Sequence, residues 1–229
     1  MIPSNAIGIL GGSFNPVHIG HVALAKEILA RCPFERLFII PNVSPPHKPP
    51  YEIESKHRLE MVKLAFEGVK KVELSTYELE SSEPSYTFHT LKHFKNQLGL
   101  NVPLYFILGA DAFYGLPEWY EFPKVLELAS YIVVKRAGYE NHQLEDGLNE
   151  LREERLIKKQ TAEPPFSRSF QTPFKTTVEL LETALPEVSS TEIRLRLQLK
   201  ERVTGLVPTK VDDYLSLNGL YGSQPKPNN

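Results

Sequence analysis

Two histidines three residues apart, His18 and His21, close the run Gly11-Gly12-Ser13-Phe14-Asn15-Pro16-Val17-His18-Ile19-Gly20-His21. Residues at that spacing lie on one side of a helical turn, so both imidazoles can face the same ligand. Glycines directly after a strand let a ligand approach the backbone. A helix starting here adds free N–H groups and the positive end of its dipole. The chemistry implied is anion binding, with both rings donating to phosphoryl oxygens. Neither the dinucleotide fingerprint Gly-x-Gly-x-x-Gly nor a Walker loop is present.

Further groups of the same kind recur along the chain. The segment Pro41 to Pro50 holds His47 and Lys48 among five of the chain's 19 prolines. A stiff scaffold of that kind lowers the entropy lost when a lysine is fixed on a phosphate. Ser189-Ser190-Thr191-Glu192-Ile193-Arg194 reads as a helix start, with Ser189 and Glu192 spaced as a capping box. Its N–H groups, hydroxyls and Arg194 make a second anion cradle. Asp111, after Gly109-Ala110, is placed to accept from ribose hydroxyls. Trp119, the only tryptophan, either stacks on a ligand ring or fills the core. Lys135-Arg136 follows another strand. Two helix N-termini with this set of cations exceed what a monophosphate needs and suit a triphosphate and its pyrophosphate product.

The elements that must position these groups follow from pattern. Strands are expected at 6–10, 36–40, 71–74, 104–108, 131–134 and 176–180, four of them nearly continuous apolar runs of the kind covered on both faces. Helices are expected at 20–31, 54–67, 86–98, 117–128 and 190–201, and the polar stretch 138–173 reads as an excursion of helix and loop. Alternating strands and helices give an α/β fold with a doubly wound parallel sheet, whose ligands bind beyond the carboxyl ends of the strands. Residues 1–221 read as one domain and 222–229 as a disordered tail.

Composition narrows the function classes. A net charge of -2 lacks the basic footprint of a duplex nucleic-acid binder. A single cysteine, Cys32, excludes a disulfide framework or a Cys-rich zinc site and fits a reducing compartment, so the cytoplasm is expected. The apolar runs are far shorter than the roughly 20 residues of a membrane span. The residues from Met1 to Asn5 do not form a signal peptide.

The glycine-histidine run and the Ser-Ser-Thr-Glu-Ile-Arg segment resemble the paired signatures of the nucleotidyltransferase superfamily with a Rossmann-like fold. Within it, Pro45-Pro46-His47-Lys48, Pro84-Ser85-Tyr86-Thr87, Gly109-Ala110-Asp111, Trp119-Tyr120, Val134-Lys135-Arg136 and Gly219-Leu220-Tyr221 resemble bacterial nicotinate-nucleotide adenylyltransferases. That resemblance implies transfer of AMP from ATP to nicotinate mononucleotide, giving deamido-NAD and pyrophosphate, with Mg2+ as the ion carried by ATP. His18, His21, Lys48 and Arg194 would act on the triphosphate, helped by Ser190 and Thr191. Gly11, Gly12, Ser13, Phe14, Gly109, Asp111 and Arg136 would line the ATP site, and Thr87, Trp119 and Tyr120 the nicotinate mononucleotide site. No protein ligand of the metal is expected. The sequence departs from the family at Ser81, commonly arginine, at His89, commonly aspartate, and at Ala137, usually proline.

Other readings remain open at this level. A nicotinamide or dual-specificity adenylyltransferase and a phosphopantetheine adenylyltransferase share the ATP chemistry, and a nucleotide-sensing module would keep binding without turnover. Class I aminoacyl-tRNA synthetases share His18-Ile19-Gly20-His21, but their Lys-Met-Ser-Lys-Ser signature is absent. The sequence leaves open a monomer or a homodimer.

Overall fold

The computed structural model describes residues 1–43, 53–136 and 142–224, with only the backbone of Arg136. Its strands are β1 (Ile7–Gly12), β2 (Arg36–Pro41), β3 (Val72–Leu74), β4 (Leu104–Gly109), β5 (Ser130–Arg136), β6 (Lys158–Gln160), β7 (Arg168–Gln171) and β8 (Thr177–Thr183). They form one sheet in the order β3-β2-β1-β4-β5-β8-β7-β6. The pairs from β3 through β8 are parallel, whereas β7 and β6 run antiparallel at one edge.

Strand alternation splits the core into two layers. Ile107, Ile132 and Leu181 point to one face and pack with Ile28, Val62 and Ile193. Phe106, Leu108 and Val133 point to the other and pack with Leu91, Phe94 and Phe113. Each such side chain contributes roughly 1.5–3 kcal/mol on burial, which is why the central strands carry almost no polar residue. Tyr131 is an exception that satisfies itself: its fully buried hydroxyl donates to Val125 O at 2.8 Å.

The helices are α1 (Ile19–Arg31), α2 (Ser55–Phe66), α3 (Tyr77–Glu80), α4 (Thr87–Leu98), α5 (Ala110–Tyr114), α6 (Val125–Leu128), α7 (His142–Glu153), α8 (Ser190–Gln198) and α9 (Thr209–Leu217). The doubly wound parallel sheet expected from the sequence is present. Three local expectations change. The helix over 117–128 is broken into a 3-10 turn at Leu116–Glu118 and the single turn α6, because the intervening residues include a left-handed Glu121 (φ 60°) and Pro123, which cannot donate to a helix ladder. The 138–173 excursion contains β6 and β7 as well as α7; their residues, Lys-Lys-Gln and Arg-Ser-Phe-Gln, are too polar to read as strands. Helix α9 was not expected at all, although Val211 and Leu215 are buried at helical spacing.

From β1 the chain moves outward through β2 and β3, then returns to place β4 on β1's other side. The carboxyl ends of β1 and β4 therefore flank the switch point at which such sheets bind ligands. Among the described residues no helix is long and apolar enough to cross a membrane.

Candidate active site

The glycine loop leaves β1 at that switch point and enters α1 at His18. The Asn15–Pro16 peptide is cis, and Phe14 takes a left-handed φ of 44°. His18 is the N-cap of α1, with extended backbone, and its N–H donates to Nδ1 of His21 at 3.1 Å. The two imidazoles stack with centroids 3.7 Å apart, and the Phe14 ring meets His21 edge-on at 4.9 Å. Gly20 leaves room for the stack, since a Cβ there would crowd the His18 ring at 3.0 Å from both Cε1 and Nδ1.

Burial sets the protonation of this pair. Desolvation lowers the pKa of His18 to about 4; desolvation, then the charge of His18, lowers that of His21 to about 3. Both rings are neutral near pH 7. Since His21 Nδ1 accepts from the His18 amide, the proton of neutral His21 lies on Nε2, leaving one fixed donor. The pair thus supplies N–H donors without a formal charge, and neither ring is poised as a base.

The loop is held by its neighbours. At the start of α8, Ser189 Oγ accepts from Glu192 N at 3.1 Å, the expected cap. Ser190 Oγ donates to Pro16 O at 2.9 Å, and Arg194 donates through Nη1 to Asn15 O at 2.7 Å and through Nη2 to Thr191 Oγ1 at 3.2 Å. Arg194, read as a triphosphate ligand, is thus also an anchor of the glycine loop.

A second anchor escaped the sequence reading. Arg58 on α2 is 1% exposed and donates through Nη1 to Ser13 O at 2.8 Å and through Nη2 to Val43 O at 2.9 Å. It ties the loop after β1 to the residues after β2, reinforced by Asn42 N donating to Gly12 O at 3.0 Å. The signal was available: Arg58 sits on the apolar stripe with Met61, Val62 and Ala65, where a solvated arginine does not belong.

At the end of β4, Gly109 caps α5 and Asp111 stands exposed in its first turn. The Asp111 carboxylate folds back so closely that a Cβ on residue 109 would lie 2.6 Å from Oδ1. Trp119 is half-buried, its ring edge-on to Phe106 of β4 at 5.9 Å, so it packs on the core while leaving part of its surface open. Exposed Tyr120 stacks on Tyr86 (4.6 Å) and on His89 (5.4 Å), beside Thr87 at the head of α4. The unusual His89 is engaged locally: its Nδ1 lies 3.0 Å from the Glu83 carboxylate, and Ser81 Oγ accepts from Glu83 N at 3.0 Å. Beneath them, Thr90 Oγ1 donates to buried Glu78 at 2.7 Å, and burial raises the pKa of that carboxyl. His47, Lys48 and Ala137 lie outside the described residues, as does the side chain of Arg136.

The structure thus brings Phe14, His18, His21, Ser190, Thr191 and Arg194 to one end of the sheet crevice, while Tyr120 belongs to a separate aromatic cluster with Tyr86 and His89, on the helix that Thr87 opens. Residues 9–196 match the cytidylyltransferase-like family. The nicotinate-nucleotide adenylyltransferase of Bacillus subtilis (strain 168) is 36% identical over 220 residues, 95% of this chain and 98% of that protein. The enzyme of that name from Escherichia coli O6:H1 is 35% identical over 213 residues, 93% and 97% of the two chains. The solved Plasmodium falciparum nicotinic acid mononucleotide adenylyltransferase, complexed with NaAD, has the same fold, with a TM-score of 0.71 at 22% identity over 95% of this chain and 97% of that one. With the signature residues assembled at the switch point and relatives matched over nearly their whole length, the chain belongs to the nicotinate-nucleotide adenylyltransferases within the cytidylyltransferase-like family.

Proposed function

We propose that this chain transfers AMP from ATP to nicotinate mononucleotide, releasing pyrophosphate and forming deamido-NAD, a step of NAD biosynthesis. The observation that supports it best is the neutral, stacked His18–His21 pair at the head of α1, where the sheet topology opens its crevice.

The nucleophile is a phosphomonoester, whose second pKa of about 6 leaves it largely dianionic at neutral pH. It needs no general base, which agrees with two histidines that are neutral near pH 7 and far too weakly basic to serve as one. Catalysis then consists of aligning two polyanions and stabilising charge on the α-phosphoryl and leaving oxygens. His21, through Nε2–H, and His18 donate to those oxygens. Gly11, Gly12, Ser13 and Phe14 let the triphosphate approach the backbone. Lys48 and Arg194 neutralise it, with Ser190 and Thr191 assisting. Gly109, Asp111 and Arg136 lie around the adenosine; Thr87, Trp119 and Tyr120 hold the nicotinate mononucleotide. Attack is direct and in line, without a covalent enzyme intermediate.

Among the described residues no group of three or more His, Cys, Asp or Glu could hold a metal ion. The donors facing the crevice instead suit phosphate oxygens. Mg2+ would be carried on the triphosphate by those oxygens and water, supplying charge neutralisation when bound.

The test is pyrophosphate release with ATP, Mg2+ and either mononucleotide. A kcat/KM for nicotinate mononucleotide well above that for nicotinamide mononucleotide is expected. Equal values would overturn the acid preference; no release with either would overturn the reaction.

A further inference from the structure

The glycine loop takes its shape from outside itself. Pro16 has no N–H to donate, and Phe14 lies in the left-handed region. Two of the contacts that fix it come from α8, Arg194 to Asn15 O and Ser190 to Pro16 O. A third comes from an element with no other part in the reaction: the hydroxyl of Tyr221 donates to Asn15 Oδ1, across 206 positions of sequence.

Tyr221 is 6% exposed and has a φ of 55°, in a turn where Gly219 (φ 60°) and Gly222 (φ 79°) are left-handed too. Tyrosine seldom adopts that backbone, which persists only where the surroundings over-determine it. Here they do: Lys200 Nζ donates to Gly222 O at 2.8 Å, and Ser223 Oγ donates to Leu215 O. The turn is fastened to the residues just after α8 and to α9, and aims the phenol at the loop. Asn15 is itself only 7% exposed, so its amide oxygen has little access to water in place of that donor.

We infer that Tyr221 is a positioning residue for adenylyl transfer: by holding the Asn15 side chain it sets the path of the loop that presents His18 and His21. Its catalytic consequence rests on the function proposed above; the anchoring itself does not. Removing the hydroxyl leaves the ring and its burial in place and frees the loop to wander from the geometry that the transition state needs, so the loss falls on kcat.

Tyr221→Phe tests this in two ways. In the ligand-free protein, hydrogen exchange by mass spectrometry is expected to rise at residues 14–19 and to stay unchanged in the central strands. With ATP, Mg2+ and nicotinate mononucleotide, kcat is expected to fall about tenfold, with the KM for the mononucleotide within twofold. Asn15→Ala should match that loss, and the double variant should lose no more than either single variant. Wild-type kcat in Tyr221→Phe, unchanged exchange at 14–19, or additive losses in the double variant would each overturn the inference. If the wild-type protein releases no pyrophosphate, the functional reading fails, while the exchange experiment still decides whether Tyr221 anchors the loop.

Discussion

The two ends of the crevice are built on different principles. At the end proposed for the phosphates, His18 is 8% exposed, its ring is stacked on a partner, and every loop carbonyl from Ser13 to Pro16 named above is held by a side chain from another element. At the end proposed for the mononucleotide, Tyr120 is 44% exposed and its stacking partners, Tyr86 and His89, are rings on a helix start and not buried polar anchors. The difference fits what each end is proposed to handle. Charge developing on phosphoryl oxygens is stabilised only by donors already in place, because reorganising them would return the gain. A planar ring is held by dispersion and stacking, which tolerate small displacements.

Three experiments would break or sharpen that contrast. The largest effect is expected from His18→Ala. Losing one preorganised donor of this kind costs on the order of 10²–10³ in kcat, with KM for both substrates nearly unchanged. Steady-state pyrophosphate release checks it, and a full kcat would remove His18 from the mechanism.

Next comes pH. The histidine pair has folded pKa values of about 4 and about 3, below the unfolded value of 6.5. Between roughly pH 6.5 and those values the unfolded chain binds more protons, so the stability these rings contribute is present above 6.5 and is lost as pH falls. Going from pH 7 to 5, that loss is about 2 kcal/mol per ring. Urea unfolding of the wild type and of His18→Gln/His21→Gln should show a smaller pH dependence in the double variant; equal slopes would mean that the rings are not held neutral.

The smallest effect belongs to the adaptable end. Tyr120→Ala should raise the KM for nicotinate mononucleotide by about tenfold or less, given roughly 0.5–1.5 kcal/mol for an aromatic pair, and leave the KM for ATP within twofold. A kcat collapse like that of His18→Ala would show that both ends are equally preorganised.

The sequence made the phosphate end legible because its signals are local. A strand, a glycine pair and two histidines at helical spacing occupy consecutive positions, and the cap at Ser189 and Glu192 formed as the spacing required. What it hid is non-local. Arg58 looks like any arginine on an amphipathic helix until its neighbours on the stripe are checked for burial, and its two acceptors lie on separate loops. The sequence leaves Trp119 open between core and ligand; its half-buried ring packs edge-on against Phe106 and leaves part of its surface exposed. The break in the 117–128 segment and the polar edge strands β6 and β7 went unread for one reason: apolar periodicity says little where tertiary contacts, not propensity, decide the backbone.

The long reach of the glycine loop's anchors also orders events in time. Asn15 and Pro16 are held by Ser190, Arg194 and Tyr221, 174 to 206 positions further along. During synthesis at about 5–20 residues per second, the ribosome takes on the order of ten to forty seconds to travel from one to the other. The loop that names the family is thus among the first parts made and among the last to take its working shape. A nascent chain that has completed β1 through β5 already carries Arg58, the anchor of Ser13, while still lacking Ser190, Arg194 and Tyr221, which fix Asn15 and Pro16.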